Sequence, residues 1–370
     1  MNMNTNISNE ELKKLIINNF NPNKRDEYIP LFEEQLANYF GVKNAVAVSS
    51  GTAAIHLALA ALNIGKGDEV LVPSTTVIMT IMPILYQGAI PIFVDCQKDN
   101  IDFNYVDLEK KITNRTKAII PVYLWGCSYN IDKLIEISQK YKLHIIEDAC
   151  QAHGSKWKGK HLGTFGKLGC FSLKNGKILA TGEGGFILTN DNEISQRCKL
   201  LRNHCTEIGN PEKSFRDIGW NYRITEMQSY LGLLNLEKLD EKIDLRKFQT
   251  KYLYERLKDI KGISLYKYKN EEDSNFFSPV FWINSNKKGI EIANALSKKG
   301  IINSTGTFGL IPANKRKSIK KYCSTLNMYD KINVANSENF LNNIIAITLM
   351  ENYDKEKLDE IVAIVKELLE

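Results

Sequence analysis

The sequence predicts an α/β protein: a mostly parallel seven-stranded sheet in a large domain, then a smaller α+β domain at the C-terminal end. Three observations predict it. Short apolar runs alternate with helical stretches through the first half of the chain. Those runs are apolar throughout rather than every second residue, as in strands covered on both faces. Beyond about residue 222 the alternation gives way to long helical periodicity.

The elements follow in order. "NAVAVS" (44–49) reads as a strand and "GTAAIHLALAALNIG" (51–65) as a helix that stops at Gly65. "DEVLVP" (68–73) is a strand, and "TTVIMTIMPILYQG" (75–88) is a buried helix. "IPIFVD" (90–95), "KAIIPVYL" (117–124) and "LHIIED" (143–148) are strands, separated by helices at 105–113 and 131–141. "KLGCFSL" (167–173) and "GGFILTN" (184–190) complete the seven. Residues 222–260 read as long helix, with a possible break near 237. A strand at 276–283, a helix at 289–300 and a terminal helix at 354–370 make up the smaller unit. The expected domains are therefore 1–245 and 246–370, with an N-terminal helix near 10–20 that could pack with the small domain.

Composition excludes several classes of function. The 49 basic and 43 acidic residues are scattered, and no basic block is interleaved with aromatics, so no nucleic-acid partner is expected. "NKRKSIKK" (314–321) is read as a solvated surface segment. The seven cysteines include no Cys-x-x-Cys pair, which argues for reduced thiols in the cytoplasm and against a zinc site. The polar start is no secretory signal, and "VIMTIMPIL" is far short of a membrane span, so no membrane partner is expected.

In a sheet of this kind, ligands bind beyond the carboxyl ends of the strands. "EDACQAHGS" (147–155) delivers Asp148 there. "SSGTAAIHL" ends a strand and opens a helix at Gly51 and Thr52, where free N–H groups and the helix dipole suit an anion. A third stretch, "CFSLKNGKILATGEGGFILTND" (170–191), puts Lys177 in a glycine-rich loop between two apolar strands. A lysine desolvated at the sheet mouth can lose its proton and act as a nucleophile. An anion site, an acid and such a lysine together meet the needs of pyridoxal phosphate: a cradle for its phosphate, a partner for its ring nitrogen and an amine for its aldehyde. Neither a dinucleotide fingerprint nor a Walker loop is present: "GKGDEV" and "GSKWKGKH" each fail the pattern.

These stretches carry a resemblance. With "GAIPIFVD" and "GWNYRITEMQSYLGLLNLEKLD", they resemble the DegT/DnrJ/StrS type of sugar aminotransferase, a branch of the aspartate-aminotransferase fold, over about residues 30–245. The resemblance implies the type I fold of pyridoxal-phosphate-dependent transferases. It implies that Lys177, five residues before Gly182, binds the cofactor covalently and moves the substrate proton. By the same resemblance Asp148 meets the ring nitrogen and Gln151 the ring hydroxyl. Gly51, Thr52 and Ser172 match phosphate ligands, and Asn221 a phosphate ligand reaching in from a second subunit, which implies a homodimer with shared sites. Glu183 either shapes the site or serves the turn. Glu147 and His153 are expected to support their loop, His153 by hydrogen bonding within it.

The activity implied is ping-pong transfer of an amino group from L-glutamate or L-glutamine to a keto-sugar, in surface-polysaccharide or secondary-metabolite biosynthesis. Lys177 counts against the family's dehydratases, which carry histidine there, and against a non-catalytic regulatory protein. Five departures bear on the acceptor. Val77 replaces the usual aromatic, Tyr123 a histidine and Trp125 a tyrosine. The glycine-proline before "LFEEQL" is absent, and "GIINSTGTFGLIP" (300–312) lacks the usual tyrosine-proline and histidine. These leave room for a smaller acceptor, such as an inosose or a phosphorylated short-chain ketone, beside a nucleotide-linked keto-sugar.

Overall fold

Seven strands form one sheet: β1 (Asn44–Val48), β2 (Glu69–Pro73), β3 (Ile90–Val94), β4 (Thr116–Ile119), β5 (His144–Asp148), β6 (Leu168–Ser172) and β7 (Gly185–Thr189). The structure is a computed structural model. It describes residues 27–370 except 208, 271–272, 308, 310 and 326–331, so the helix expected near 10–20 lies outside the described residues. The order across the sheet is β1-β7-β6-β5-β4-β2-β3. β7 runs antiparallel to both its neighbours, and every other pairing is parallel.

All seven apolar runs form strands, and their interior residues are buried apart from Lys117 in β4 and the half-buried Ile92 in β3, as expected of a sheet covered on both faces. Helices Gly51–Ala61 (α1), Ile78–Tyr86 (α2), Tyr105–Lys110 (α3) and Ile131–Tyr141 (α4) make the crossovers. β4 is shorter than the sequence suggests. Pro121 has no N–H to give the ladder, and beyond it only Val122 bridges to Asp148 before a turn at Leu124–Gly126. α2 begins three residues later than expected, with Val77 as its N-cap.

The long helical stretch breaks where expected. Helix Glu226–Leu236 (α5) opens on a capping box between Thr225 and Gln228, and helix Leu239–Leu257 (α6) follows the gap at 237–238. Position 245 lies inside α6, which carries the chain from the large sheet to a smaller antiparallel one. That sheet has the order β8 (Ile263–Leu265), β9 (Val280–Ile283), β10 (Ile344–Ala346).

Hydrogen bonds sew the later segments onto the mouth of the large sheet. Ser74 Oγ donates to Asn314 at 2.7 Å, and Asp95 accepts from the N–H groups of Asn336 and Ser337. Asn275 Nδ2 donates to the carbonyls of Gln151 and His153, and Trp125 Nε1 donates to Ser304.

Candidate active site

The carboxyl ends of β1, β2, β4, β5 and β6 meet at one edge, where β7 begins. Beyond that edge lies a cavity of about 280 Å³. Its walls include six of the seven residues singled out from the sequence: Gly51, Thr52, Asp148, Gln151, Ser172 and Lys177. Stretches separated by more than a hundred residues are thus brought to one place by strand order alone.

The anion wall is the start of α1. Ser50 caps the helix, its Oγ accepting from the Ala53 N–H at 3.1 Å. The first-turn N–H groups of a helix lack intrahelical acceptors, and here that turn forms part of the cavity wall. Gly51 has to be glycine for packing reasons. A Cβ there would stand 2.8 Å from both Cys150 Sγ and Ser172 Cβ. The backbone is thereby brought against the end of β6, forming a cradle that a side chain would fill.

Asp148 ends β5 and is buried. Its Oδ2 accepts from Thr80 Oγ1 at 2.7 Å and its Oδ1 from the Cys150 N–H at 3.2 Å. Gln151 Oε1 accepts from the Trp125 N–H at 2.8 Å. That bond sets the amide orientation and leaves the NH₂ group as its donor toward the cavity.

Lys177 sits in the loop between β6 and β7. Backbone bonds from Asn175 to Gly182, Lys177 to Lys174 and Leu173 to Gly184 hold this loop. Gly184, at φ +139°, takes a backbone conformation that L side chains rarely adopt. Lys177 is half-buried, and its burial lowers the amine pKa from the ordinary 10.5. The nearby Asp148 charge partly opposes that shift, and Lys174 reinforces it. Lys177 Nζ lies 5.0 Å from the centroid of the Phe277 ring, and no carboxylate pairs with it among the described residues. Lys174 is exposed at the rim. Burial and the Asp148 charge push the Cys150 thiol well up, so it stays protonated beside the lysine.

The two acids of "EDACQAHGS" part company, because successive strand residues face opposite ways. Glu147 is fully buried away from the cavity. It accepts from the Tyr123 hydroxyl and from the N–H groups of Gly163, Phe165 and Gly166, at 2.6–2.7 Å. Burial raises its pKa against the pull of those four donors. It holds a loop, as expected. His153 does not behave as expected. It packs edge-on against Phe171, at 5.3 Å between centroids, and neither ring nitrogen makes a hydrogen bond of good geometry. The backbone of Ser172 is the polar group that approaches it.

Asn221 stands apart from the cavity in its own chain. Trp220 and Tyr222 stack together, and Tyr222 hydroxyl lies 3.0 Å from His56 Nδ1 on α1. Asn221 lies between them in extended backbone, bridged to Asn203, and is exposed. The Glu183 carboxylate is exposed at the rim, while its carbonyl accepts from Gln228 at 3.0 Å.

Other wall residues carry no signal in the sequence. Phe277 and Thr348 are two such residues; with Ile302, Asn303 and Ser304, from the 300–312 segment whose departure bears on the acceptor, they close the cavity opposite Lys177. Thr80 was legible only as part of a buried helix, although it falls four residues after Thr76, which precedes the helix cap Val77. Among the described residues no cluster of metal-ligating side chains occurs, and no helix is long and apolar enough to cross a membrane.

The residues present fit pyridoxal phosphate on three counts: a close-packed helix start for a phosphate, an anchored carboxylate for a ring nitrogen, and an unpaired amine in a desolvated wall. The comparisons agree. The sequence profile of the DegT/DnrJ/EryC1/StrS aminotransferase family matches residues 7–366. A GDP-perosamine synthase from Caulobacter vibrioides is 42% identical over 219 residues, 59% of each chain. A protein from Streptoalloteichus tenebrarius, described as a putative L-glutamine:3-amino-2,3-dideoxy-scyllo-inosose aminotransferase, is 35% identical over 63% of this chain and 56% of its own. The chain therefore spans less than two thirds of the length of these curated relatives. In structure the likeness runs almost end to end. DesV of S. venezuelae, solved with a ketimine intermediate, superposes with a TM-score of 0.87 at 28% identity, covering 98% of this chain and 95% of that one.

Proposed function

We propose that this chain, which belongs to the DegT/DnrJ/EryC1/StrS aminotransferase family, is a pyridoxal-phosphate-dependent aminotransferase acting on a keto-sugar or a related polyhydroxy ketone. The observation that carries this reading is the Lys177 amine: desolvated, without an ion-pair partner, and in the same small cavity as Asp148 and the start of α1. A structural or purely binding protein gains nothing from such an amine, which costs stability to bury.

Bound pyridoxal phosphate supplies an electron-withdrawing ring that makes the α-proton of an amino acid removable. The chain's own groups do the rest. Gly51, Thr52 and Ser172 receive the phosphate at the helix start. Asp148, fixed by Thr80 and Cys150, holds a proton on the ring nitrogen. Gln151, oriented by Trp125, donates to the ring hydroxyl. Lys177 would anchor the cofactor, and its Nζ, once freed, would take the α-proton of the donor and return it in a 1,3-shift. L-Glutamate or L-glutamine is the donor, and the two half-reactions share the site in turn.

Asn221 is exposed and cannot serve its own cavity, which supports a homodimer in which each chain completes its partner's phosphate site. Tyr86, Phe215 and Ile218 stand exposed on the molecule, and Tyr86 reaches the Trp220–Tyr222 stack through His56, which supports a covering second copy. Relatives named for a nucleotide sugar and for an inosose leave both acceptor classes in play. Val77, where the family carries an aromatic, leaves extra width in the cavity wall. A place in surface-polysaccharide or secondary-metabolite biosynthesis in the cytoplasm follows from the same reading. So does the domain division near 245. A dehydratase reading is disfavoured by Lys177 itself.

The test is chemical. The protein is loaded with pyridoxal phosphate, reduced with borohydride and digested. The modified peptide is expected to carry the label at Lys177 and to be absent from Lys177→Ala. Label at Lys174 would overturn the assignment. The pyridoxamine-phosphate form, screened against keto-sugars, inososes and phosphorylated ketones, then identifies the acceptor by the return of the cofactor's aldehyde-state absorbance.

A further inference from the structure

We propose that Thr80 is a positioning residue for Asp148, at the end of an ordered hydroxyl chain that begins at Thr76. The proposal rests on the reading of Asp148 given above and adds to it a residue that nothing in the motifs assigns.

Three observations carry it. Thr80 is completely buried on α2, in the otherwise apolar run "VIMTIMPIL", and its hydroxyl reaches Asp148 Oδ2 at 2.7 Å. Thr76 Oγ1 lies 3.0 Å from Thr80 Oγ1. Asp148 Oδ1 is taken by the Cys150 N–H, so each carboxylate oxygen has one donor from the chain. The direction of the chain then follows. An ionised carboxylate only accepts, so the single Thr80 proton points at Asp148. Thr80 can therefore only accept from Thr76, whose single proton goes to Thr80 at 3.0 Å rather than to the more distant Val77 carbonyl at 3.5 Å. The order Thr76 to Thr80 to Asp148 is polarised in one sense, and each bond strengthens the next.

The placement matters as much as the polarity. Asp148 ends β5, and Thr80 belongs to the helix after β2; β4 lies between these strands. A donor on the loop after β5 and a donor on α2 hold the carboxylate from two separate elements. Rotation about its side-chain bonds breaks one bond or the other. A threonine inside a helix commonly bonds back to the carbonyl one turn earlier. Here that option is given up for Asp148, in a helix whose other buried side chains, Ile81, Pro83 and Ile84, are apolar.

The experiment uses the full chain loaded with pyridoxal phosphate, as wild type, Thr80→Val, Thr80→Ser, Asp148→Asn and the Thr80→Val/Asp148→Asn double variant. Three quantities are read: visible circular dichroism of the bound cofactor, the cofactor dissociation constant, and single-turnover conversion by L-glutamate. Thr80→Val is expected to weaken the dichroism and to slow single turnover about tenfold, the scale on which misplaced groups lose rate. Its dissociation constant should change less than about threefold, and Thr80→Ser should restore all three readouts, because only the hydroxyl is at issue. The double variant should be no slower than Asp148→Asn, since Thr80 acts through that acid. Thr76→Val, one hydroxyl further out, should slow turnover about threefold in the same sense, which guards against a misfolded Thr80 variant. A crippled Asp148→Asn with an unaffected Thr80→Val, or effects of the two that multiply, overturns this proposal alone. A fully active Asp148→Asn overturns the reading of Asp148 and this proposal with it.

Discussion

His153 should make the fold sensitive to mild acid, by an amount that can be worked out. The ring is fully buried between aromatic neighbours, and burial, with the Lys177 charge behind it, lowers the pKa from 6.5 to about 3. A folded-state pKa below the unfolded one means that the unfolded chain takes up the proton first as pH falls. The stabilisation from keeping this ring neutral is complete above pH 6.5 and is lost as the pH falls from 6.5 toward 3. At about pH 5 the unfolded histidine is almost fully protonated and the folded one is not, which costs about 2 kcal/mol. His153→Leu removes the titration and keeps an apolar group of similar size. Urea unfolding at about pH 7.5 and about pH 5, at equal protein concentration, should show wild type losing about 2 kcal/mol more than the variant over that interval. Comparing differences cancels the contributions of His56 and His161, whose pKa values are also lowered, to about 4. Equal losses in the two proteins would refute the reasoning, because they would mean the folded ring titrates like a free one.

Asp148→Asn should keep cofactor affinity within about tenfold and cut kcat by two or more orders of magnitude, because a neutral amide cannot hold the ring proton; steady-state kinetics beside a cofactor titration checks it. Gly51→Ala should weaken cofactor binding at least tenfold and cost about 1–3 kcal/mol of stability, since its Cβ meets Cys150 and Ser172 at 2.8 Å; equilibrium dialysis and thermal melting read the two effects. Asn221→Ala should weaken cofactor retention by about 1–3 kcal/mol, the scale of a lost charge-assisted hydrogen bond. Subunit exchange between an inactive Lys177→Ala chain and an inactive chain disrupted at Asn221 should restore activity, and confirmed exchange without recovery would rule out shared sites.

The strands were legible because burial on both faces leaves a plain mark: seven apolar runs, bounded by turn residues, became seven strands. Gly51, Asp148 and Lys177 were legible because each sits where a strand meets a turn, and position in such a sheet decides what lies at its mouth. The wall from Phe277 to Thr348 was legible only at 300–312, and there only as a segment bearing on the acceptor. Its residues are ordinary apolar and hydroxyl side chains, and only the packing of the small sheet brings them to Lys177. Thr80 was hidden for a related reason: a lone threonine in an apolar helix announces a bond but not its partner. His153 differs because a polar residue in a loop invites a hydrogen-bond reading, whereas its ring packs in T-shaped contacts with Phe171 and Phe186.

The stitching of the C-terminal third to the sheet mouth bears on how rigid the chamber is. Ser74 to Asn314, Asp95 to Asn336 and Ser337, and Asn275 to Gln151 and His153 are separate ties around one rim. Swinging the small sheet away as a lid would break several of them together, at about 1 kcal/mol each for the neutral ones and more at Asp95. Thermal motion does not readily supply that sum. The chamber thus behaves as a fixed gauge rather than a jaw. Whatever the chamber holds would meet fixed walls at Val77, Phe277 and Ile302, so its fit should survive changes of temperature and viscosity that would disturb a closing lid.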